Sequence, residues 1–103
     1  MATEVRKNAA LERFELTADG VPAGYIEYQD TGAERALVHT EVFPRFEGKG
    51  LANVLVKHAL DASRGEGYEV LPLCPVVLHF ITTHPDYIAL VPQRARALFG
   101  LPQ

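Results

Sequence analysis

A mixed α+β sheet carrying helices is the fold class this chain predicts, and three observations predict it. Alternating segments separated by short turn signals fill the first half. At Gly50 the hydrophobic period changes from two residues to about 3.6. A short apolar run between Gly67 and Pro75 then completes a strand–helix–strand crossover, the connection a parallel pair needs.

The first ten residues are polar with scattered alanines and read as frayed or as a loose first strand. Arg13 to Thr17 reads as a strand with Phe14 and Leu16 on one face, and Asp19-Gly20 is a hairpin signal. From Ala23 to Gln29 the alternation resumes, Ile26 and Tyr28 opposing Tyr25 and Glu27, until Asp30-Thr31-Gly32 turns the chain. Ala36 to Phe43 is the clearest strand. Ala36, Val38, Thr40 and Val42 are expected on one face, and Leu37, His39, Glu41 and Phe43 on the other. Pro44 has no N–H to give and stops the ladder. Three antiparallel strands are therefore expected before the crossover.

Leu51, Val54, Leu55, His58, Ala59 and Ala62 form one stripe of an amphipathic helix, which Gly65 and Gly67 end. On that stripe His58 reads as a packed histidine. Tyr68 to Cys74 reads as a buried strand, and Pro75 suits the first turn of a helix over Val76 to His84. His84-Pro85 ends it, and a last short helix is expected from Gln93 to Phe99. The order is β-β-β-α-β-α with a terminal helical turn.

At 103 residues the chain is read as a single domain, residues 1–103, with a core at about 12–92. Its 48% hydrophobic and 22% charged content is ordinary for a globular protein. Apolar runs such as Val76-Val77-Leu78 are too short for a membrane span, and the N-terminus lacks the apolar core of a secretory signal. A net charge of −3 argues against nucleic acid as a partner, so an anionic ligand would need a local arrangement to hold it. Cys74 is the only cysteine, which excludes an intrachain disulfide and suits the reducing cytoplasm. No His/Cys/Asp spacing suggests a metal site. Oligomeric state is not legible, although Val91 and Leu98 are read as exposed apolar residues.

The segment Arg45-Phe46-Glu47-Gly48-Lys49-Gly50 stands between a strand and a helix. Two glycines one residue apart permit a sharp turn and close backbone approach. The helix start behind them offers unpaired N–H groups and a partial positive charge, so the place suits a phosphate or pyrophosphate. It is not a P-loop, which needs four residues between its glycines and then Lys-Ser or Lys-Thr. Nor is it a dinucleotide fingerprint: Asn53 stands where the third glycine belongs, and too little chain follows for more parallel strands.

The remaining pattern, Arg45-x-x-Gly48-x-Gly50, resembles the acetyl-CoA-binding motif of the GCN5-related N-acetyltransferases. Val70-Leu71-Pro72-Leu73-Cys74-Pro75 and His84-Pro85-Asp86-Tyr87 are similar to the small single-domain branch of that superfamily, so the resemblance covers roughly residues 12–92. It implies an acyl-CoA N-acyltransferase-like fold, acetyl-CoA as cosubstrate and an amine as acceptor. Carried over, the backbone N–H groups from Phe46 through Glu47, Gly48, Lys49 and Gly50 to Leu51 grip the pyrophosphate, with the Lys49 cation nearby. The strand ending at Phe43 is implied to splay from its parallel neighbour, so that the pantetheine arm pairs with backbone at Val42 or its neighbours.

Catalytic roles follow from the same resemblance. An acceptor ammonium must lose a proton before it attacks a thioester, and a carboxylate or imidazole near the slot can take it. Glu41 is the first candidate and His39 the second; the alternative is that both lie on a solvated sheet face. Cys74, at a strand end just before a helix start, is implied to lie near the acetyl group, with direct transfer favoured over a thioester on the cysteine; the alternative is a buried small hydrophobe. Tyr87 is the candidate acid for the departing thiolate, with a core or rim tyrosine as the alternative. Arg94 and Arg96 read as a solvated face, coenzyme phosphates being the other possibility. The acceptor is left open between a protein or peptide amine and a small amine, because the first two strands are joined by only a few residues. A non-catalytic acyl-CoA sensor is the alternative to an enzyme.

Overall fold

The computed structural model describes residues 1–103 as a five-stranded sheet with helices on one face. The strands are β1 (Thr3–Asn8), β2 (Arg13–Ala18), β3 (Val21–Thr31), β4 (Glu34–Val42) and β5 (Glu69–Pro72), adjacent in that order. Helix α1 (Leu51–Gly65) crosses from β4 to β5, α2 (Pro75–Thr83) follows, and α3 (Gln93–Arg96) lies near the C-terminus with short 3-10 turns around it. The smallest extent of the molecule, 19 Å, is the thickness of one sheet and one helical layer.

The expected α+β mixed sheet is present, with four antiparallel strands where three were expected. The first residues are not frayed: Thr3 to Asn8 pairs along its length with Ala18 to Arg13. Alternating charges hid this edge strand, and such charges on an edge discourage pairing with another chain. Strand β5 pairs in parallel with β4 only from Glu34↔Glu69 to Leu37↔Pro72. It ends at Pro72 because proline cannot donate to the ladder, so Cys74 caps α2 and lies outside the strand.

One face of each of the three inner antiparallel strands is buried: Phe14, Leu16 and Ala18 on β2, Ile26 and Tyr28 on β3, Leu37 on β4. These pack with Leu55, Val56, Ala59 and Leu60 of α1 and Val77, Phe80 and Ile81 of α2 in a single core. The buried arc of α1 runs through Leu51, Leu55, Val56, Ala59, Leu60 and Ser63, rotated from the expected stripe. Because α1 packs on both the sheet and α2, its buried side includes Val56 and Leu60, while Val54 and His58 are exposed. His58 is thus not a packed core histidine. Val91 is fully buried, whereas Leu98 is 85% exposed as expected. Packing also extends past the expected core limit, since Ala95 and Leu101 are buried.

A β-bulge changes the face assignment of β4. Glu27 opposes His39 and Tyr28 opposes Leu37, so Val38 is an extra residue. The alternation therefore slips by one: Leu37 points into the core, while His39 and Glu41 lie on the opposite, outer face. Thr40 now shares the inner side and reaches Cys74. Leu37 does not share a face with His39 and Glu41.

Candidate functional site

The turn after β4 is built from its glycines. Pro44–Phe46 forms a 3-10 turn, anchored by the buried Phe46 ring. Gly48 and Gly50 follow at φ 76° and 73°, the left-handed region that an L side chain enters at a cost of about 1–2 kcal/mol. Gly50 is the N-cap of α1, and no side chain caps that helix. The amide of Phe46 donates to Phe43 O at 2.8 Å and that of Glu47 to Pro44 O at 3.3 Å. Both are engaged within the turn, which narrows the expected donor set. The amides from Gly48 through Asn53 donate to no protein carbonyl. The free run therefore starts two residues later than the sequence suggested and extends into the first helical turn, to Ala52 and Asn53. Arg45 and Lys49 are exposed beside it, and no acidic side chain occupies the first turn.

Beside this turn the sheet opens. Past Leu37 no strand pairs with β4 on the β5 side. The last link across is the Cys74 amide, which donates to Leu37 O at 2.9 Å. The buried Cys74 thiol then donates to Thr40 Oγ1 at 3.3 Å, and Val42 and Phe43 are half-buried along the open stretch. An extended ligand running from the helix N-terminus toward Cys74 would meet a strand whose backbone is unpaired on that side.

On the outer face His39 Nε2 lies 3.4 Å from Glu41 Oε1, both side chains about half exposed at 50% and 47%. The two candidate proton acceptors are therefore together on one face, and Thr40 with Cys74 is on the other. Tyr25 lies next to them, its ring 5.9 Å from His39 and 6.1 Å from Phe43. Burial, then the negative charges of Glu41 and Glu27, push its phenol pKa up.

Tyr87 is committed elsewhere. Its ring is buried at an edge to Phe80, and its hydroxyl donates to Asp61 Oδ1 on α1 at 2.7 Å. Burial and then that hydrogen bond raise its pKa. Arg96 donates to Val91 O within the C-terminal segment, and Arg94 pairs with Glu34 of β4, which ties that segment to the sheet. No group of side chains is arranged to hold a metal ion, and no helix is long and apolar enough to cross a membrane.

A sheet that splits beside a glycine turn, with a free-amide helix start at the split, places this chain among acyltransferase-type α+β domains. The chain belongs to the GCN5-related N-acetyl-transferase family, whose model matches residues 13–91, and is an N-acetyltransferase domain. No curated protein sequence matches it. Among solved structures, a GCN5-like protein from Staphylococcus aureus superposes with a TM-score of 0.66 at 18% identity, covering 86% of this chain and 87% of the other. A ribosomal-protein-alanine N-acetyltransferase from Brucella melitensis gives 0.54 at 19% identity, over 84% of this chain and 66% of that one. The PaiA N-acetyltransferase from Thermoplasma acidophilum, in complex with coenzyme A, gives 0.51 at 16% identity, over 72% and 48%.

Proposed function

We propose that this chain moves the acetyl group of acetyl-CoA to an amine at the opening between β4 and β5. The observation that carries the reading is the run of unpaired amides from Gly48 to Asn53 at the start of α1. A diphosphate there would accept charge-assisted hydrogen bonds worth about 1.5–3 kcal/mol each, enough to outweigh a net charge of −3. Arg45 and Lys49 add cations beside it. Phe46 and Glu47 hold the bend through their own internal hydrogen bonds. Val42 and Phe43 border the stretch of β4 along which the pantetheine arm would lie. The coenzyme A carried by the Thermoplasma acidophilum relative supports the same cosubstrate here.

In this reading Glu41 takes the acceptor's proton, directly or through water, with His39 as its neighbour. The neutral amine attacks the thioester carbon, and as the C–S bond breaks the remaining extra N–H proton passes to the departing sulfur, so coenzyme A leaves as the free thiol. Cys74, held by Thr40, sits beside the acetyl group without becoming acylated. Tyr87 is assigned to bracing α1 through Asp61. A lone cysteine suits the cytoplasm as the working compartment.

The test is Gly50→Val. A Cβ at this position meets nothing within 4 Å, so the substitution strains the backbone without a clash. Calorimetry should show acetyl-CoA affinity lost while circular dichroism shows the fold retained. Unchanged affinity overturns the assignment.

A further inference from the structure

Strand β1 ends the sheet, and its far edge carries backbone groups that nothing in the chain satisfies. The Asp19 amide donates to Ala2 O at 2.7 Å, which sets the alternation of the β1–β2 ladder. Glu4, Arg6 and Asn8 therefore turn their backbone toward β2. The N–H and C=O groups of Thr3, Val5 and Lys7 point away from the sheet, where no strand takes them. Thr3, Glu4, Arg6 and Lys7 are exposed, and only Val5 and Asn8 are half-buried. Such an edge is a template for one more strand.

The side chains decide which strand fits. On the outer face Glu4 and Arg6 pair with each other and stay 58% and 80% exposed. On the helix side Val5 opposes Leu16 and packs against the core, while Lys7 reaches over the Tyr28 ring to Glu66. Val5 also lies at the rim of a groove of about 330 Å³ between β1 and α1, opposite the exposed Val54.

The charges that keep other chains off this edge are matched, in one register, by a second copy of the same strand. A two-fold axis through Val5 sets Val5 against the partner's Val5, Thr3 against the partner's Lys7, and Glu4 against the partner's Arg6. Each outward N–H then meets an outward C=O, and cross-strand pairs of opposite charge favour the contact. Sliding the pair one step either way sets Glu4 against the partner's Glu4, or Arg6 against the partner's Arg6. The register is thus written into the strand.

We infer that β1 is a dimer edge: two copies of this chain pair antiparallel through Thr3–Lys7, in the register centred on Val5, and join their sheets into one. The contact is isologous and closes on itself, so it stops at two copies. On the helix side the partner's Val5 adds an apolar wall to the groove beside Val54. The openings between β4 and β5 lie at the two far ends of the joined sheet, so neither is covered. One short strand from each copy buries less than the roughly 1,200 Å² of a standard interface, so the dimer is weak, with a dissociation constant on the order of 10⁻⁴ M.

The test is sedimentation equilibrium of the whole chain from about 10 µM to about 1 mM, with hydrogen exchange at the same concentrations. A monomer–dimer equilibrium is expected, the amides of Thr3, Val5 and Lys7 exchanging more slowly as concentration rises. Val5→Pro removes an outward donor and no bond to β2, so it should weaken the dimer about tenfold and leave the acetyl-CoA thermal shift unchanged. Glu4→Arg and Arg6→Glu each set like charges across the axis, and each should raise the dissociation constant about tenfold. Mixed in equal amounts, these two variants are complementary and should pair as tightly as wild type. If Val5→Pro fails to fold by circular dichroism, the mixed pair decides alone. A wild-type chain that stays monomeric at the highest concentration overturns the inference. So does a dimer that neither charge variant weakens, or a mixture that pairs no better than its components.

Discussion

Arg35 is a fully buried arginine in a β-strand, and it ties β4 to β3, to α1 and to the connection between α1 and β5. Its guanidinium donates to both carboxylate oxygens of Asp30 at 2.8 and 3.0 Å, to Glu66 at 3.0 Å and to Ser63 Oγ at 3.3 Å. The rings of Tyr68 and Tyr28 stack on it at 4.1 and 4.5 Å. Burial works against its charge, but the hydrogen bonds to Asp30 and Glu66 outweigh it and raise its pKa. Removing one partner of a buried cluster leaves the others uncompensated, so Arg35→Ala should cost about 3–5 kcal/mol in urea unfolding. Lys7 adds a second cation to Glu66, and the Arg35 hydrogen bond is the main reason that the Glu66 carboxyl is depressed. A carboxyl lowered on folding stabilises above its unfolded pKa. That contribution should therefore be lost as pH falls below about 4.3. Stability measured from pH 6 to 3 should fall in wild type, and more shallowly in Arg35→Ala. At the other conspicuous residue, Cys74→Ala should keep most of the turnover, and intact mass after incubation with acetyl-CoA should show no adduct on wild-type Cys74. A stable acetyl adduct would replace direct transfer with a covalent route.

Among the elements, β3 leaves no room for a side chain against β4 at Gly24. A Cβ built there would lie 2.3 Å from the Glu41 carbonyl oxygen, which belongs to a strand and cannot step aside cheaply. Gly24→Ala should therefore push β4 outward at the residue proposed to take the proton. About 1–3 kcal/mol of overpacking is expected in thermal unfolding, with turnover falling further than acetyl-CoA affinity. The elements also explain what could be read from the chain. The glycine turn was legible because its spacing, its proline stop and the change of period lie within a few consecutive residues. Strands β2 and β3 were legible from strict alternation over one buried face. The bulge at Val38 was not, because it is a property of pairing: nothing in Ala36 to Val42 announces that β3 has one residue fewer. That slip moved Leu37 away from His39 and Glu41 and brought Thr40 to Cys74. Arg35 was missed for a related reason, since its charge is matched by Asp30 and Glu66 from other elements. Tyr87 was placed by similarity to larger relatives, and its partner Asp61 stands 26 residues earlier on α1, a contact that only the tertiary packing makes.

For the molecule as a whole, the coenzyme turn is a local positive feature on a chain of net charge −3. Long-range attraction is therefore unfavourable, and binding depends on close contacts at the free amides. The fold closes without those amides being satisfied by protein, so the unliganded chain leaves them to water and gains their bonds only on binding. Acetyl-CoA should consequently stabilise the whole domain: at 100 times its Kd the gain is about 2.7 kcal/mol. In a domain of this size each kcal/mol moves Tm by about 4–8 °C, so a shift on the order of 10 °C or more is expected in a thermal melt. Raising salt should not abolish it. Hydrogen bonds from backbone amides act at contact distance, whereas the contributions of exposed Arg45 and Lys49 are screened over about 8 Å at physiological ionic strength. A melt series from low to high salt should thus lose only part of the shift. A shift that vanishes entirely would mean that the two exposed cations, and not the backbone turn, hold the coenzyme. Lys49→Ala then separates the two contributions, because it should lower the shift at low salt and leave it unchanged at high salt.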